Sequence, residues 1–332
     1  MSSVKLGHSG LKVSRACLGT MTFGNTEWGT DQAESQRIVD AFLDAGHNFI
    51  DTADVYNAGV SEEFVGRAVA GRRDEVVLAT KGYNAMGAGP NDRGSSRVHL
   101  TRALESSLRR LGTDYIDLYQ LHNWDHDTPI EESMATLDGF VRSGKVRYIG
   151  CSNFYGSQLV EAQWAAERQG GAALVSLQPQ YSLIWRDIEL DILPTATRHG
   201  MGVIGWSPLG GGMLTGKYTS RDALPADGRL SRGSDMEAEG MRMLTLTDRN
   251  FGIVAEVGRV AADLDATPTA VSLAWLLNRP GVTSVIIGPR TVDQLHQNLA
   301  GFDLELPRES AKGLSKVSRP PVSYPWYMQL RM

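Results

Sequence analysis

Tyr115-Ile116-Asp117-Leu118-Tyr119-Gln120-Leu121-His122 is followed, after a polar break, by Thr128-Pro129-Ile130-Glu131 and a helix-period stretch, and then by Val146-Arg147-Tyr148-Ile149-Gly150-Cys151-Ser152. The two flanking runs have the β-branched and aromatic character of strands, and the stretch between them is long enough to be a crossover helix. A strand, a helix and a strand in that order form a parallel pair, because only a long connection returns the chain to the same end of the sheet. Outward from this unit the pattern repeats, with strand candidates at 16–20, 47–51, 75–81, 115–122, 146–152, 173–178, 202–207 and 284–288. Eight such strands predict an α/β chain closed into a (β/α)8 TIM barrel.

The helices carry their own start signals. Thr128-Pro129-Ile130-Glu131 and Thr291-Val292-Asp293-Gln294 each place a hydroxyl three residues before a carboxylate or amide, and Thr267-Pro268 puts proline at a first helical position. Leu100, Leu104, Leu108 and Leu111 share one helical face, and Gly112 supplies a left-handed stop. Ahead of the first strand, residues 4–13 alternate around Ser9-Gly10 and predict an N-terminal β-hairpin plugging the barrel bottom. Residues 82–97, 219–247 and 319–332 fall outside the repeat and are expected as long loops at the C-terminal face, the middle one as a flap. No linker divides the chain, so residues 1–332 are expected to form a single domain.

Composition narrows the function classes. With 42% hydrophobic and 21% charged residues the chain is globular rather than disordered. Lys+Arg 33 against Asp+Glu 38 gives a net charge of −5 and no basic stripe, so a nucleic acid partner is not expected. Cys17 and Cys151 are the only cysteines, too few for a disulfide framework or a thiolate metal cluster, which predicts a reducing, cytoplasmic setting. No apolar run has the length of an export signal core or a membrane span. The Gly211-to-Lys217 stretch resembles a phosphate-binding loop but has Tyr218 where a magnesium-binding hydroxyl belongs. There is no Gly-x-Gly-x-x-Gly, and Ser207 lacks the second glycine of a nucleophile elbow. His122 and His126 are not accompanied by the glutamate of a zinc protease, so no metal is expected.

Working residues of a parallel barrel sit at the C-terminal strand ends. Here those ends carry Asp51 with Tyr56 just beyond, Lys81, His122, Ser152 with Asn153, Gln178, Ser207 and Arg290. Phe49-Ile50-Asp51-Thr52-Ala53-Asp54-Val55-Tyr56, Ala79-Thr80-Lys81, Tyr119-Gln120-Leu121-His122, Gly150-Cys151-Ser152-Asn153-Phe154, Trp206-Ser207-Pro208-Leu209 and Val285-Ile286-Ile287-Gly288 resemble, in order, the active-site segments of the aldo-keto reductases, in particular the bacterial branch similar to potassium channel β subunits.

That resemblance implies a catalytic tetrad of Asp51, Tyr56, Lys81 and His122. Tyr56 would protonate a substrate carbonyl; a free tyrosine holds its proton up to about pH 10, so a neighbouring cation, Lys81, must ease its release. Asp51 would hold Lys81, and His122 would orient the carbonyl. Because no side chain supplies a hydride, a cofactor is required, and the resemblance implies NADP(H). Its expected contacts are Gly19, Thr20, Met21 and Asp51 near the reacting end, and Ser152, Asn153 and Gln178 on the carboxamide. Trp206 is expected against the ring, Ser207, Pro208, Leu209, Gly211 and Lys217 along the pyrophosphate, and Gly288, Arg290, Gln294 and Asn298 at the 2′-phosphate, ribose and adenine. Trp28, Tyr83 and Trp124, with Tyr56 and His122, are expected to line the substrate pocket, and Trp326 is a further aromatic candidate. The expected partner is a small carbonyl compound; a homo-oligomer, a channel-like regulatory subunit and a Schiff-base aldolase using Lys81 stay open as alternatives.

Overall fold

The computed structural model describes residues 3–222, 224–226, 228–232, 236–322 and 324–329, the side chain of Glu237 excepted. A short hairpin, β1 (Ser3–Lys5) and β2 (Lys12–Ser14), precedes eight parallel strands: β3 (Ala16–Gly19), β4 (Phe49–Asp51), β5 (Val77–Gly82), β6 (Ile116–Leu121), β7 (Val146–Ser152), β8 (Leu174–Gln178), β9 (Gly202–Gly205) and β10 (Val282–Ile287). They close in the order β10-β3-β4-β5-β6-β7-β8-β9, which is the expected (β/α)8 barrel. The connecting helices are α1 (Gln32–Asp44), α2 (Val60–Val69), α3 (Arg97–Leu111), α4 (Ile130–Arg142), α5 (Gly156–Gln169) and α6 (Ile192–Arg198). After β9 come α7 (Met236–Thr245), α8 (Asp248–Asp263) and α9 (Pro268–Leu277); α10 (Val292–Asp303) follows β10, with α11 (Arg308–Val317) and α12 (Trp326–Gln329) beyond.

The chain divides into two compact units, the first comprising Met1–Pro179, Ile192–Trp206 and Gly281–His296 and so holding every barrel strand. The second comprises Gln180–Asp191, Ser207–Pro280 and Gln297–Met332.

Inside the barrel, side chains two apart on each strand point inward. Cys17, Phe49, Val77, Ala79, Leu118 and Ile204 form the apolar floor, and Leu6 of the hairpin turn, fully buried, packs into it together with Val13. The expected plug is thus Leu6; truncating a buried leucine to alanine costs about 2–5 kcal/mol. One layer higher the inward positions turn polar, with Asp51 above Phe49, Lys81 above Ala79 and Gln120 above Leu118. Gly150 opposite makes the space: a Cβ there would collide with Ser176 Oγ and crowd Gln120 Cγ.

The outward faces meet the helices. Tyr119 packs edge-on against Phe140 of α4, with ring centroids 5.8 Å apart, and α3 buries Leu100, Leu104, Leu108 and Leu111 before Gly112 turns left-handed. Thr267 and Thr291 cap their helices through bonds from the Ala270 and Gln294 N–H groups. The expected Thr128 cap does not form. Its hydroxyl donates to Asp125 Oδ2 at 2.8 Å, which also accepts the Ser95 N–H, and α4 starts at Ile130 behind Pro129 with no side-chain cap. The expected strand 202–207 ends at Gly205, because Ser207 adopts φ +53° and cannot continue a ladder.

Within the second unit, in the segment 219–247, Leu230 is buried and its N–H donates to Tyr218 Oη at 2.9 Å, while α7 exposes Met236, Met243 and Leu244. Residues 223, 227 and 233–235 of that segment lie outside the described residues, as do 323 and 330–332 of the tail.

Candidate active site

Asp51 ends β4, and its two carboxylate oxygens are fully engaged. Oδ2 accepts from Lys81 Nζ at 2.6 Å, and Oδ1 accepts from Gln120 Nε2 at 3.1 Å and Gln178 Nε2 at 2.8 Å. Lys81, on the neighbouring β5, is wholly buried, and its ammonium uses its three protons on Asp51, the Thr52 carbonyl at 2.8 Å and Tyr56 Oη at 3.2 Å. Burial works against the ammonium, but Asp51 and the Tyr56 oxygen more than offset it, so its pKa lies above that of a free lysine. Lys81 is therefore an ammonium held beside a phenol.

Tyr56 is aimed by the backbone that follows it. Asn57, Ala58 and Gly59 have φ of +50°, +54° and +95°, three successive left-handed residues. A left-handed non-glycine conformation costs about 1–3 kcal/mol, and the Asn57 side chain offsets it. Its Nδ2 donates to the Met21 and Phe23 carbonyls at 3.0 and 2.7 Å, and its Oδ1 accepts from Asn25 Nδ2 at 3.2 Å. Tyr56 is thereby tied to the loop after β3.

His122 follows β6, where it stands edge-on to Tyr56 with ring centroids 5.9 Å apart and planes at 82°. Burial and then the Lys81 charge push it down to about 3, so the imidazole is neutral at physiological pH. Asn84 Nδ2 lies 3.0 Å from its Nδ1. Asn153, at φ +60°, donates from Nδ2 to the His122 carbonyl at 3.0 Å and accepts on Oδ1 from Trp206 Nε1 at 3.3 Å. Ser152 donates to the Gln178 carbonyl at 2.7 Å.

Asp51, Tyr56, Lys81, His122, Ser152, Asn153, Gln178 and Trp206 are thus linked through one hydrogen-bonded set in the first unit. Gly19 pairs with Asp51 in the ladder, and the Thr20 hydroxyl lies within bonding distance of both the Asp51 carbonyl and Ser61. Met21 meets this set through its carbonyl, which accepts from Asn57. Gln120 and Asn57 were missed by sequence reasoning. Gln120 was findable, because it lies two residues before His122 on the same inward face; Asn57 had no comparable signal.

The Gly288–Arg290 turn differs from a bare helix N-terminus. The Arg290 N–H is taken by Gln294 Oε1 at 2.9 Å, the Val292 N–H by Glu34 Oε1 at 3.0 Å and the Gln294 N–H by Thr291 Oγ1 at 3.2 Å. These donors are already spent inside the protein, and the Gln294 amide oxygen is spent with them. Among the described residues no carboxylate pairs with the Arg290 guanidinium.

The remaining expected residues belong to the second unit or to loops. Ser207 and buried Pro208 and half-buried Leu209 lead into a 3-10 turn, Gly210–Thr215, in which Gly211 and Gly212 are left-handed, and Lys217 Nζ sits 5.4 Å from the Tyr218 ring. Asn298 is 9% exposed. Trp124 packs edge-on to Phe154 at 5.2 Å and lines a cavity of about 400 Å³ with Trp164 and Arg168. The Trp28 N–H donates to Asn25 Oδ1 at 2.9 Å, the Tyr83 carbonyl accepts from the Gly94 N–H at 2.7 Å, and Trp326 is half-buried on α12.

A second buried acid lies three residues past Asp51. Asp54 is fully buried, neither of its carboxyl oxygens makes a well-formed hydrogen bond, and burial followed by the Glu62 charge pushes it up to about 7. Glu62 itself is paired with Arg110 at 2.6 Å and accepts from Thr80 Oγ1 at 2.6 Å.

The family model described as "Aldo/keto reductase family" matches residues 15–319. The chain is 41% identical to the uncharacterized oxidoreductase YrpG of Bacillus subtilis, across 98% of this chain and 100% of that one. It is 36% identical to a probable voltage-gated potassium channel subunit beta of Arabidopsis thaliana, across 92% of each. It is 32% identical to the norsolorinic acid reductase of Aspergillus flavus, across 96% of this chain and 81% of that one.

Proposed function

The chain belongs to the aldo/keto reductase family, and from that premise we propose that it is an NADPH-dependent carbonyl reductase, taking an aldehyde or ketone, sugar-derived ones included, to the alcohol. The observation that carries this reading is the buried chain from Asp51 through Lys81 Nζ to Tyr56 Oη, at 2.6 and 3.2 Å. An ammonium held 3.2 Å from a phenol has one chemical use that a structural ion pair lacks. It stabilises the phenolate left when Tyr56 gives its proton to the developing alkoxide.

The residues fit a nicotinamide cofactor, which when bound supplies the hydride. Ser152, Asn153 and Gln178 offer the mixed donors and acceptors a carboxamide needs, Trp206 offers a flat face held by Asn153, and the Arg290 guanidinium suits a phosphate. Tyr56 then holds and releases the proton, Lys81 holds the charge, Asp51 holds Lys81, and neutral His122 donates to the carbonyl oxygen and orients it. Trp28, Tyr83 and Trp124 remain the proposed substrate-side aromatics. The family match across 15–319 supports reading the chain as one functional domain acting on small carbonyl compounds, and the cytoplasmic setting stays a proposal resting on its two cysteines. Lys81 is no Schiff-base nucleophile in this reading, because the ammonium has no free electron pair and Asp51 favours keeping it protonated.

Purified protein with NADPH and 4-nitrobenzaldehyde should oxidise the cofactor. Absence of turnover across an aldehyde and ketone panel, with NADPH binding measured in the same preparation, would sink the reading. It would favour a second one, a nucleotide-binding regulatory subunit, which the similarity to the Arabidopsis channel subunit supports; a stable protein partner in a pull-down would then be expected. The NADP preference has its own test. Arg290→Ala should weaken NADPH binding by roughly ten- to a hundredfold and leave NADH binding alone, since only the former presents a 2′-phosphate.

A further inference from the structure

We propose that Asn84 is a positioning residue that holds His122 in the tautomer protonated on Nε2. The inference rests on the assignment of His122 as the carbonyl-orienting group, and it concerns which of the two ring nitrogens faces the substrate with a proton.

A neutral imidazole carries one N–H, and the partner of one nitrogen decides where it sits. Asn84 presents Nδ2 to His122 Nδ1 at 3.0 Å. With the amide nitrogen, a donor only, turned toward the ring, Nδ1 accepts with its lone pair and the proton resides on Nε2. The opposite tautomer would set N–H against N–H at that distance, and the imidazolium would do the same. The ring stays neutral as well, because it is half-buried and desolvated and lies near the Lys81 ammonium. The groups facing it are Lys81 from β5, Tyr56 from the loop after β4 and Asn84 from the loop after β5; Asn153 from the loop after β7 holds its backbone carbonyl.

Asn84 is itself held for this purpose. It lies two residues past β5, and the loop that carries it is closed at its base by the Gly94 N–H bonded to the Tyr83 carbonyl at 2.7 Å. At the far side Asp125 Oδ2 takes the Ser95 N–H at 2.7 Å and so ties the loop to the segment leaving His122. In the sequence Tyr83 of this loop stands out as a candidate site residue, but Asn84 does not. With the proton on Nε2, two O–H or N–H donors, Tyr56 and His122, converge on one carbonyl oxygen. With the proton on Nδ1, a nitrogen lone pair would face the oxygen lone pairs and oppose the developing negative charge.

The direct test is long-range 15N–1H correlation spectroscopy on 15N-histidine protein, with His122→Asn assigning the resonance among the seven histidines. The expected result is an unprotonated Nδ1 and a protonated Nε2 throughout about pH 6 to 8. A protonated Nδ1 overturns the proposal, whatever the enzyme does. Kinetics give a second arm. Asn84→Asp places an acceptor where a donor stood, so the ring should flip its tautomer and kcat should fall by roughly 10²-fold at neutral pH, the scale of losing one oxyanion donor. The loss should shrink as the pH is lowered, because a ring beside a carboxylate takes a second proton and regains Nε2–H. Asn84→Ala, which removes the preference without reversing it, should cost kcat only about fivefold to tenfold and show no such acid recovery. Wild-type kcat in Asn84→Asp overturns the proposal. A protonated Nε2 in a protein that reduces no carbonyl supports the tautomer assignment while removing the reductase reading.

Discussion

Asp51 and Asp54 lie three residues apart at the end of one strand, both are buried, and they are opposite in kind. Asp51 is matched: a buried ammonium on one oxygen and two amide donors on the other. Asp54 has no such partner, and a second acid, Glu62, is among the charges it faces. A buried carboxylate that keeps its charge must be surrounded by donors, and one that is not gives the charge up instead. The contrast separates the two jobs on this loop. Asp51 keeps its charge against the Lys81 ammonium, and Asp54 carries a carboxyl pushed up to about 7.

The comparison breaks most visibly at the matched acid. Asp51→Asn leaves the Lys81 ammonium buried without its counter-charge, and removing one partner of such a pair costs about 3–5 kcal/mol. The urea midpoint should fall accordingly, with turnover down by roughly 10²-fold or more, because the cation beside Tyr56 is no longer held. A variant as stable as the parent would show that the pair contributes nothing net and that Asp51 is no better matched than Asp54.

Tyr56→Phe probes the chemistry without touching either acid. It deletes the phenol while Lys81 keeps Asp51 and the Thr52 carbonyl, so kcat should drop by roughly 10²-fold with NADPH affinity and thermal stability nearly unchanged. Wild-type turnover would remove Tyr56 from the mechanism and leave His122 as the proton donor.

The smallest effect lies at the unmatched acid and has a pH signature. With Asp54 raised to about 7 in the folded protein and an ordinary aspartate near 3.9 in the unfolded chain, the folded state holds the proton more tightly. Its contribution is fully present below about pH 4 and is lost as the pH rises toward 7, at up to about 1.4 kcal/mol per pH unit. Asp54→Asn removes that slope. Its urea midpoint should match the parent near pH 4 and exceed it at pH 8. Parallel midpoints at both pH values would mean that Asp54 is as well matched as Asp51. Activity at neutral pH should be retained, since Asp54 touches none of the four tetrad side chains.

Much of this was readable from one sequence. Strand and helix alternation is a local pattern, and closing eight parallel strands leaves few arrangements, so the barrel, the hairpin ahead of it and the strand ends carrying Asp51, Lys81 and His122 followed directly. Period-2 alternation also put Lys81 and Gln120 on one inward face, which register then made neighbours. What sequence could not supply is the use each polar group makes of its hydrogen bonds. Thr128 has the spacing of a helix cap and is taken by Asp125 instead, and the backbone donors at the start of α10 are taken by Glu34, Gln294 and Thr291. Asn57 and Asn84 read as loop residues. Their roles come from partners 36 and 38 residues away in the chain, at Met21 and His122. Residue types and their periods determined which chemistry this protein can attempt. Which carboxyl keeps its charge, which nitrogen of His122 carries the proton and which helix donors are already engaged were decided by tertiary contacts, because a hydrogen bond or a desolvation cost belongs to a pair of groups that only folding brings together.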